Sequence, residues 1–316
     1  MSAPETGLRV GVFGGTPLAH DFLNALTGRT PGVEIISVGD DTEDVGPDAL
    51  VAVALDAVIV AVAPAQRAAA VAAAVERGLH VCCPLPVAAD LPTLDGLMVR
   101  AAQAGVIAFA PNLLRYSAPV AQLYERRRTV GKPAALFAAH RVRQGTGGDV
   151  FAALALPLID LAMWVIGGEV ERVQVMAERL FAAESVPDGA DGADTALMLL
   201  RFASGLTATL EVAGSLPEAA AQADELLVEY LGMDAVLRAM PTDLAVTVTS
   251  TRGVQAEDFL PPAAEAVGEA FVAAIRAGQG VPQSLVDARW SLAVLEKVRL
   301  AAVTGEMVRV GGAVRR

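Results

Sequence analysis

The sequence predicts an α/β protein with an N-terminal Rossmann-type doubly wound parallel sheet and a C-terminal α+β domain with a large, mostly antiparallel open sheet. The first half is indicated by short apolar runs that alternate with helical segments through short turns. The second half is indicated by a series of alternating strands followed by two long helices. This change of pattern predicts two domains, residues 1–118 and residues 119–316.

In the N-terminal half, local signals define each element. Leu8–Phe13 is short, apolar and β-prone, as is typical of a strand buried in a parallel sheet. Gly14 and Gly15 then turn the chain, Thr16 offers an N-cap hydroxyl, and Pro17 suits the first position of a helix. The further elements predicted here are strands at 33–38, 56–63, 79–83 and 106–110, and helices at 65–77 and 91–104.

The C-terminal half opens with a predicted helix at 118–128 and a strand at 135–142. A second helix is predicted around 158–166 with Pro157 in its first turn, and the Ala-Ser-Gly link at 203–205 predicts a hairpin. The remaining predicted elements are strands at 170–180, 195–202, 206–213, 226–231, 235–239 and 244–250, helices at 263–277 and 285–303, and a terminal strand near 307–310.

Net charge and composition exclude several classes of function. The chain of 316 residues has a formal net charge of −12, so it lacks the basic surface that nucleic acid or anionic lipid requires. No uncharged apolar run reaches the roughly 18 residues of a membrane span, and the start does not resemble a signal peptide. The only two cysteines, Cys82 and Cys83, are adjacent, which fits a reducing compartment. We therefore expect a cytoplasmic protein that binds neither nucleic acid nor membrane.

The turn after the first strand is a candidate phosphate-binding site. Such a site needs small residues where the backbone approaches a pyrophosphate and a helix N-terminus aimed at its charge. Gly14 can make the tight turn and Ala19 is a small packing residue, whereas Thr16 carries a side chain whose hydroxyl can donate a hydrogen bond. Asp40, at the end of the second strand, can hydrogen-bond the adenosine ribose and disfavour a 2′-phosphate. The alternatives are a plain strand-to-helix turn and a solvated turn aspartate.

Several further segments occur in the order and spacing seen in the Gfo/Idh/MocA oxidoreductases, which the chain resembles over nearly its whole length. They read DAVIVAVAP, GLHVCCPLPVA, PNLLRYSAPV, VGKP, IDLAMWVIGG, LRFASGLTATLE and TGEMVRV. The resemblance implies an NAD(P)-dependent dehydrogenase or reductase of sugars, polyols or their derivatives. It also implies a homodimer or homotetramer assembled through the open sheet of the second domain. The predicted cofactor is NAD rather than NADP, and its predicted contacts are Gly14, Gly15, Thr16, Pro17, Asp40, Ala63, Pro64, Pro84 and Asn112.

The chain departs from this family at the positions that carry its chemistry. The family uses the lysine of an E-K-P segment, helped by a histidine three residues before an aspartate. Here Pro84 and Leu85 stand at the Glu and Lys positions, and the aspartate is Asp160. The histidine position is Pro157 and a further acidic position upstream is Ala153. None of the side chains at the lysine, histidine and upstream acidic positions can carry a proton.

Two residues are candidates for general acid–base catalysis in place of the lysine and histidine. Asp160 is a carboxylate in an otherwise apolar helix, so it must find a partner or line a cleft. Tyr116 lies just past the fifth strand, at the end where ligands collect, and its alternative is interdomain packing with a satisfied hydroxyl. The predicted substrate-binding residues are Leu85, Arg115, His140, Arg141, Arg143 and Pro157.

The other charged candidates have structural alternatives. Arg141 and Arg143 share one face of a predicted strand, where the alternative is surface pairing with this acidic chain. Arg67 is interpreted as a solvated helix residue, with a phosphate contact as its alternative. His80 is interpreted as fixing the turn before its strand. No metal site is predicted, because the three histidines are dispersed and no Cys/His cluster occurs.

Two hypotheses from different classes therefore stand. The first is a nicotinamide-dependent oxidoreductase whose proton relay has moved to Tyr116 or Asp160, or is supplied by water. The second is a non-catalytic relative that keeps the fold to bind a nucleotide, a small ligand or a protein partner, without cofactor chemistry. The residues favour dinucleotide binding over catalysis on an ordinary sugar hydroxyl.

Overall fold

The computed structural model describes residues 7–39, 49–50, 53–143, 149–180, 192–220, 224–241, 245–250, 253–258, 263–278 and 280–311. The chain divides into two compact units, Met1–Tyr116 with Pro261–Arg289 and Ser117–Leu260 with Trp290–Arg316. The sequence predicts a single boundary near residue 118, whereas the contacts within the structure assign Pro261–Arg289 to the first unit as well. The first unit is therefore built from two separate stretches of chain.

The elements follow the predicted order. In chain order the strands are β1 (Leu8–Phe13), β2 (Val33–Val38), β3 (Ala57–Val60), β4 (His80–Cys82), β5 (Ala108–Phe109), β6 (Pro133–Arg143), β7 (Val170–Glu178), β8 (Thr195–Phe202), β9 (Thr207–Leu216), β10 (Asp224–Gly232), β11 (Ala235–Met240), β12 (Ala245–Ser250), β13 (Gly253–Asp258) and β14 (Val308–Arg309). The α-helices are α1 (Pro17–Leu26), α2 (Pro64–Glu76), α3 (Leu91–Ala104), α4 (Leu113–Tyr116), α5 (Ala118–Arg126), α6 (Leu156–Ile166), α7 (Ala263–Ala277) and α8 (Leu285–Thr304). A 3-10 helix, Arg127–Val130, follows α5, and a π-helix, Phe151–Ala155, leads directly into α6.

The first unit contains a parallel sheet in the order β2-β1-β3-β4-β5. The side chains of β1 and β3 are buried towards the carboxyl ends of the strands, which explains why both read as continuous apolar runs. Chain order and spatial order reverse between β1 and β3, so ligands are expected outside the carboxyl ends of these strands. The predicted doubly wound parallel sheet is confirmed.

The second stretch of chain completes the core of the first unit. Phe271 of α7 is buried and its ring stacks on Phe109 of β5, with the ring centroids 6.2 Å apart. Phe109 also forms an antiparallel bridge with Ser284, just before α8. Ser284 donates to the Asp287 carboxylate from its N–H (2.9 Å) and from its hydroxyl (3.1 Å), as in the capping of a helix start.

The second unit contains a large mixed sheet in the order β13-β12-β11-β10-β6-β9-β8-β7-β14. The pair β6 and β9 is parallel, and the other neighbouring pairs are antiparallel. The predicted hairpin between β8 and β9 is confirmed, because the Phe202 N–H donates to the Leu206 carbonyl at 2.9 Å. The mostly antiparallel open sheet is therefore confirmed as well.

One face of this sheet carries exposed apolar side chains near the β7–β8 edge. Met176 is 71% exposed, Leu197 is 45% exposed and Leu199 is 41% exposed. Met198 and Leu200, which alternate with them along β8, are fully buried on the opposite face. Among the described residues, no helix has the length and apolar character needed to cross a membrane.

Candidate functional site

The turn between β1 and α1 requires glycine at position 14. Gly14 has a φ of +132°, and a Cβ built there would lie 2.6 Å from the carbonyl oxygen of Ala61 and 2.8 Å from its carbonyl carbon. The Gly14 N–H donates to the Val38 carbonyl at 3.2 Å. Gly14 therefore allows the carboxyl ends of three adjacent strands to approach closely at the switch point of the sheet.

Thr16 is the N-cap of α1 and Pro17 is in its first turn, as predicted. The Thr16 hydroxyl accepts the Ala19 N–H at 3.4 Å and donates to the Ala61 carbonyl. A hydroxyl has a single proton to donate, so this donor is already used inside the protein. A phosphate at this turn would therefore be held by backbone N–H groups and the positive end of α1, whose first turn contains no acidic side chain.

The segment after β3 forms the next part of the same edge. Ala61 and Val62 are buried, Ala63 is the N-cap of α2 and Pro64 is in its first turn. The α2 N-terminus has no side-chain cap and no acidic residue in its first turn. Small side chains, a glycine-dependent close approach and two helix N-termini together fit a dinucleotide at this edge.

Arg67 is buried behind this segment, so its interpretation as a solvated helix residue is wrong. Its side chain belongs to α2 and is only 8% exposed. Its Nε donates to the Val62 carbonyl at 3.1 Å, and its Nη1 donates to the carbonyls of Pro84 (3.0 Å) and Pro86 (3.2 Å). Burial lowers the pKa of Arg67. The guanidinium thus joins the end of β3 to the turn that follows β4.

That turn occupies the family's E-K-P position. The Leu85–Pro86 peptide bond is cis, and the Leu85 N–H donates to the Pro111 carbonyl at 3.1 Å. Cys83, at the start of the turn, is buried, and burial raises the pKa of its thiol to about 11. Cys83 is therefore a neutral thiol at physiological pH, as expected of a structural strand residue rather than a nucleophile.

Asn112 and Gln283 meet at the carboxyl end of β5. Both are almost fully buried, and the Asn112 N–H donates to Oε1 of Gln283 at 2.8 Å. The Asn112 Oδ1 accepts the Leu114 N–H at 3.1 Å, and the Asn112 carbonyl accepts the Arg115 N–H at 3.0 Å. Asn112, a predicted cofactor contact, therefore also organises α4. Gln283 was not identified from the sequence, because it reaches this edge from the distant second stretch of the unit.

Tyr116, one of the two catalytic candidates, packs within the first unit. Its ring meets the edge of Phe109 at a centroid distance of 5.9 Å and an interplanar angle of 77°. Tyr116 is partly buried against the cluster that also contains Phe22 and Phe271. The ring is therefore anchored by aromatic packing.

Asp160, the other catalytic candidate, lies in the second unit. Its carboxylate is 1% exposed and accepts the hydroxyl of Ser291 on α8 at 2.9 Å. Asp160 therefore has a hydrogen-bond partner, as predicted, and this partner, Ser291, was not identified from the sequence. Pro157, at the family's histidine position, lies in the first turn of the same helix, α6.

The three basic candidates on β6 have separate surroundings. Arg141 donates from Nε to Glu211 at 2.8 Å and from Nη1 to Glu225 at 3.2 Å, and these hydrogen bonds raise the pKa of Arg141. Arg141 therefore pairs with acidic side chains of the sheet, which is the alternative interpretation given to it from the sequence. Arg143 donates to the Ala220 carbonyl at 2.9 Å.

His140 precedes Arg141 on the strand and therefore faces the opposite side of the sheet. Its Nε2 lies 3.8 Å from a carboxylate oxygen of Asp224, and the interaction with His140 lowers the pKa of Asp224. His140 and Arg141 are thus not brought together as one substrate contact.

Not every predicted residue can be placed. Asp40, the predicted ribose contact, lies outside the described residues. Gly14, Gly15, Thr16, Pro17, Ala63, Pro64, Pro84 and Leu85 belong to the carboxyl edge of the first unit's sheet. Within the described ranges, no group of three or more His, Cys, Asp or Glu side chains could hold a metal ion.

Comparisons with known proteins agree with this architecture. Residues 123–229 match the family model described as the GFO/IDH/MocA C-terminal domain. Inositol 2-dehydrogenase 1 of Saccharopolyspora erythraea is 26% identical over 332 aligned positions, which cover 96% of this chain and 96% of the relative.

Solved structures match over most of their length. A probable dehydrogenase from Thermotoga maritima superposes with a TM-score of 0.77 at 20% identity, covering 96% of this chain and 99% of the other. An oxidoreductase from Agrobacterium radiobacter, in complex with NAD+, L-tartaric acid and magnesium, gives a TM-score of 0.79 at 16% identity, covering 97% and 99%. At these identities the solved structures establish a shared fold.

Proposed function

We propose that the chain is a member of the Gfo/Idh/MocA family and an NAD-binding oxidoreductase of sugars, polyols or their derivatives. The observation that carries this proposal is the β1–α1 turn, where Gly14 permits an approach to Ala61 that no Cβ could accommodate. The inositol dehydrogenase activity in the name of the S. erythraea relative supports the substrate class.

Residues of the first unit would hold the cofactor. The backbone at Gly14, Gly15 and Thr16 would face the pyrophosphate, with the N-terminus of α1 behind it. Ala63 and Pro64 would lie along the nicotinamide half, and Asp40 would select NAD over NADP through the ribose. When bound, the nicotinamide supplies a hydride acceptor or donor. The NAD+ complex of the A. radiobacter structure supports this cofactor assignment.

Proton transfer is the step in which this chain departs from its family. Leu85 and Pro157 offer no proton at the lysine and histidine positions. We propose that Tyr116, Asp160 or water moves the proton that accompanies hydride transfer. Asp160 accepts the Ser291 hydroxyl at Oδ1, so a transferred proton would be taken up by the lone pairs that this hydrogen bond leaves on the carboxylate.

A second candidate function is a non-catalytic dinucleotide or ligand binder. It is favoured by the burial of Asp160, whose carboxylate is 1% exposed. It is also favoured by the coincidence of Leu85, Pro157 and Ala153 at positions where the family's chemistry needs ionisable groups. This candidate predicts saturable cofactor binding without turnover.

Calorimetric titration of the full chain with NADH and with NADPH tests the proposal. We expect NADH to bind and NADPH to bind more weakly. Asp40→Ala should weaken NADH binding about tenfold through the loss of a hydrogen bond to a charged group. Asp21→Ala, which removes an exposed carboxylate from α1, is the matched control. Absence of saturable binding of either cofactor would refute the proposed function, and equal affinities would refute only the preference for NAD.

Turnover separates the two candidates. Oxidation of myo-inositol and simple sugars can be followed by the absorbance of NADH. Activity on any of them supports the oxidoreductase, whereas NADH binding without turnover on any of them supports the binder.

We further propose that the open sheet of the second unit assembles a homodimer or homotetramer. Met176, Leu197 and Leu199 expose apolar surface on one face of this sheet, which another copy of the chain would cover. Sedimentation should give a mass above that of one chain, and Leu199→Glu should lower it. Val303→Glu, at an exposed apolar position on α8, should not. A monomeric wild-type protein would exclude this assembly.

A further inference from the structure

Arg67 places a buried cation at the ligand end of the parallel sheet. Its guanidinium is bonded to three backbone carbonyls, those of Val62, Pro84 and Pro86. In the part of the chain that the structure describes, no carboxylate contacts it. The neighbouring thiol of Cys83 is neutral at physiological pH, because burial raises its pKa to about 11. The described surroundings therefore solvate the positive charge with carbonyl dipoles and bring no described carboxylate into contact with it.

The strand order indicates which part of a dinucleotide this charge faces. In a doubly wound sheet the pyrophosphate lies at the turn after β1, and the adenosine half follows the end of the neighbouring strand, here β2. The other half must then extend over the ends of β3 and β4. Val62 follows β3 and Pro84 follows β4, so a nicotinamide bound in this way would lie on the side of the crevice that Arg67 supports.

We propose that Arg67 sets the preference of this protein for the oxidation state of its cofactor, making NADH bind more tightly than NAD+. The proposal rests on the proposed function, because it presumes that a nicotinamide cofactor occupies this edge. The oxidised nicotinamide ring carries a positive charge and the reduced ring is neutral. A fixed cation close to the ring therefore disfavours only the oxidised form.

The size of the effect follows from Coulomb's law. Two unit charges about 10 Å apart, at an effective dielectric constant of about 20, change an equilibrium about tenfold or somewhat more. Salt screens this interaction weakly, because the guanidinium is buried. The same charge makes bound NAD+ a stronger oxidant, since hydride transfer from a substrate C–H bond to the ring removes the ring's positive charge.

A purely structural role for Arg67 makes a different prediction. If the guanidinium served only to hold the turn between Pro84 and Pro86, its replacement would weaken both cofactor forms equally. The ratio of the two affinities separates the roles, because a change in the shape of the site acts on both forms whereas a change in its charge acts on one.

The experiment is a calorimetric titration of the full chain with NADH and, separately, with NAD+ at about pH 6.5, about four units below the ordinary lysine pKa, which offsets the lowering that burial causes at an introduced lysine. Arg67→Met removes the charge and keeps most of the side-chain length. Arg67→Lys keeps the charge and cannot reproduce all three carbonyl contacts. Arg77→Met, at the far end of α2, is the matched loss of an exposed arginine from the same helix. Circular dichroism establishes that each variant is folded.

We expect the wild-type protein to favour NADH, and Arg67→Met to reduce the ratio of affinities about tenfold. Arg67→Lys and Arg77→Met should retain the ratio. The proposal is overturned if Arg67→Met leaves the ratio unchanged, or if Arg67→Lys loses it. If Arg67→Met does not fold, Arg67→Gln takes its place, because it also removes the charge and keeps hydrogen-bond donors for the carbonyls. Absence of wild-type binding to either form refutes the proposed function as well, whereas an unaltered ratio with saturable binding refutes only the role of Arg67.

Discussion

Replacing Gly14 with alanine tests the central element of the cofactor edge. The backbone at Gly14 has a φ of +132°, which an L-residue adopts at a cost of about 1–3 kcal/mol. The new Cβ would also lie 2.6 Å from the Ala61 carbonyl oxygen, and relieving that overlap moves backbone at a cost of about 1–3 kcal/mol more. The sum predicts that Gly14→Ala lowers the free energy of unfolding by about 2–6 kcal/mol.

Gly28→Ala is the matched control. Gly28 also has a positive φ, +72°, but a Cβ there meets nothing within 4 Å. The backbone conformation alone should cost about 1–2 kcal/mol. The two variants therefore differ in the contact with Ala61, which only Gly14→Ala makes, and in φ, which at Gly14 lies further from the left-handed helical region.

Urea unfolding followed by circular dichroism measures this difference through the two transition midpoints. The reasoning would be refuted if Gly14→Ala and Gly28→Ala were destabilised equally, because the close approach to Ala61 would then have no energetic meaning. Calorimetry adds a second readout. Gly14→Ala should weaken NADH binding, since Thr16 hydrogen-bonds the same Ala61 carbonyl and would shift with it, while Gly28→Ala should bind NADH normally.

Three further predictions concern other residues. Ser291→Ala should lower the free energy of unfolding in urea by about 1.5–3 kcal/mol, because Asp160 loses a buried hydrogen bond; unchanged stability would contradict a structural role for this pair. The Nδ1 of His80 accepts the Ile107 N–H at 3.0 Å, and burial lowers the pKa of His80. The contribution of neutral His80 to stability is therefore complete above the ordinary histidine pKa of about 6.5. This contribution is lost as the pH falls through the lowered pKa of the folded state. His80→Asn should therefore reduce the difference between urea midpoints at about pH 7.5 and about pH 5.5; an unchanged difference would exclude His80 as its source. Leu85→Lys alone should create no NAD-dependent oxidation of sugars, because Pro157 still occupies the histidine position, and activity in this single variant would show that the rest of the site is intact.

The elements with strong local signals were predictable from the sequence. β1, β2, α3 and β8 match their predicted bounds, and Thr16 caps α1 through the hydroxyl that suggested it. In each case, neighbouring residues determine the result, through apolar runs, a cap and a proline in the first turn. The same local origin explains the agreement for α7 at Ala263–Ala277.

Elements whose structure depends on tertiary contacts were not predicted. β13 reads Gly-Val-Gln-Ala-Glu-Asp, with little apolar alternation, and it forms as an edge strand by pairing with β12. The π-helix at Phe151–Ala155 and the short α4 have no distinctive local signal. The periodicity of α7 predicts a helix but not its packing, so the assignment of Pro261–Arg289 to the first unit requires the structure.

The candidate site likewise contains some residues that local sequence predicts and others that it does not. Gly14 and Thr16 were identified because the turn they form is encoded in adjacent residues. Arg67 was misread, because three carbonyl oxygens from two separate segments converge on it and no local pattern encodes that convergence. Gln283 and Ser291 were missed for the same reason, since each meets its partner across more than a hundred residues of chain.

Lysine and arginine differ in what they can supply at the position of the E-K-P segment. A lysine supplies both a positive charge and a transferable proton, whereas the guanidinium of an arginine supplies only the charge, because it does not deprotonate in proteins. Leu85 on the turn has no proton to transfer, and Arg67 buried behind the turn supplies a positive charge. Binding of a dinucleotide and catalysis on a sugar hydroxyl therefore place separate demands on this chain. On our proposals, the fixed cation would act on dinucleotide binding through the charge of the nicotinamide ring. Catalysis would depend on whether Tyr116, Asp160 or water moves the proton.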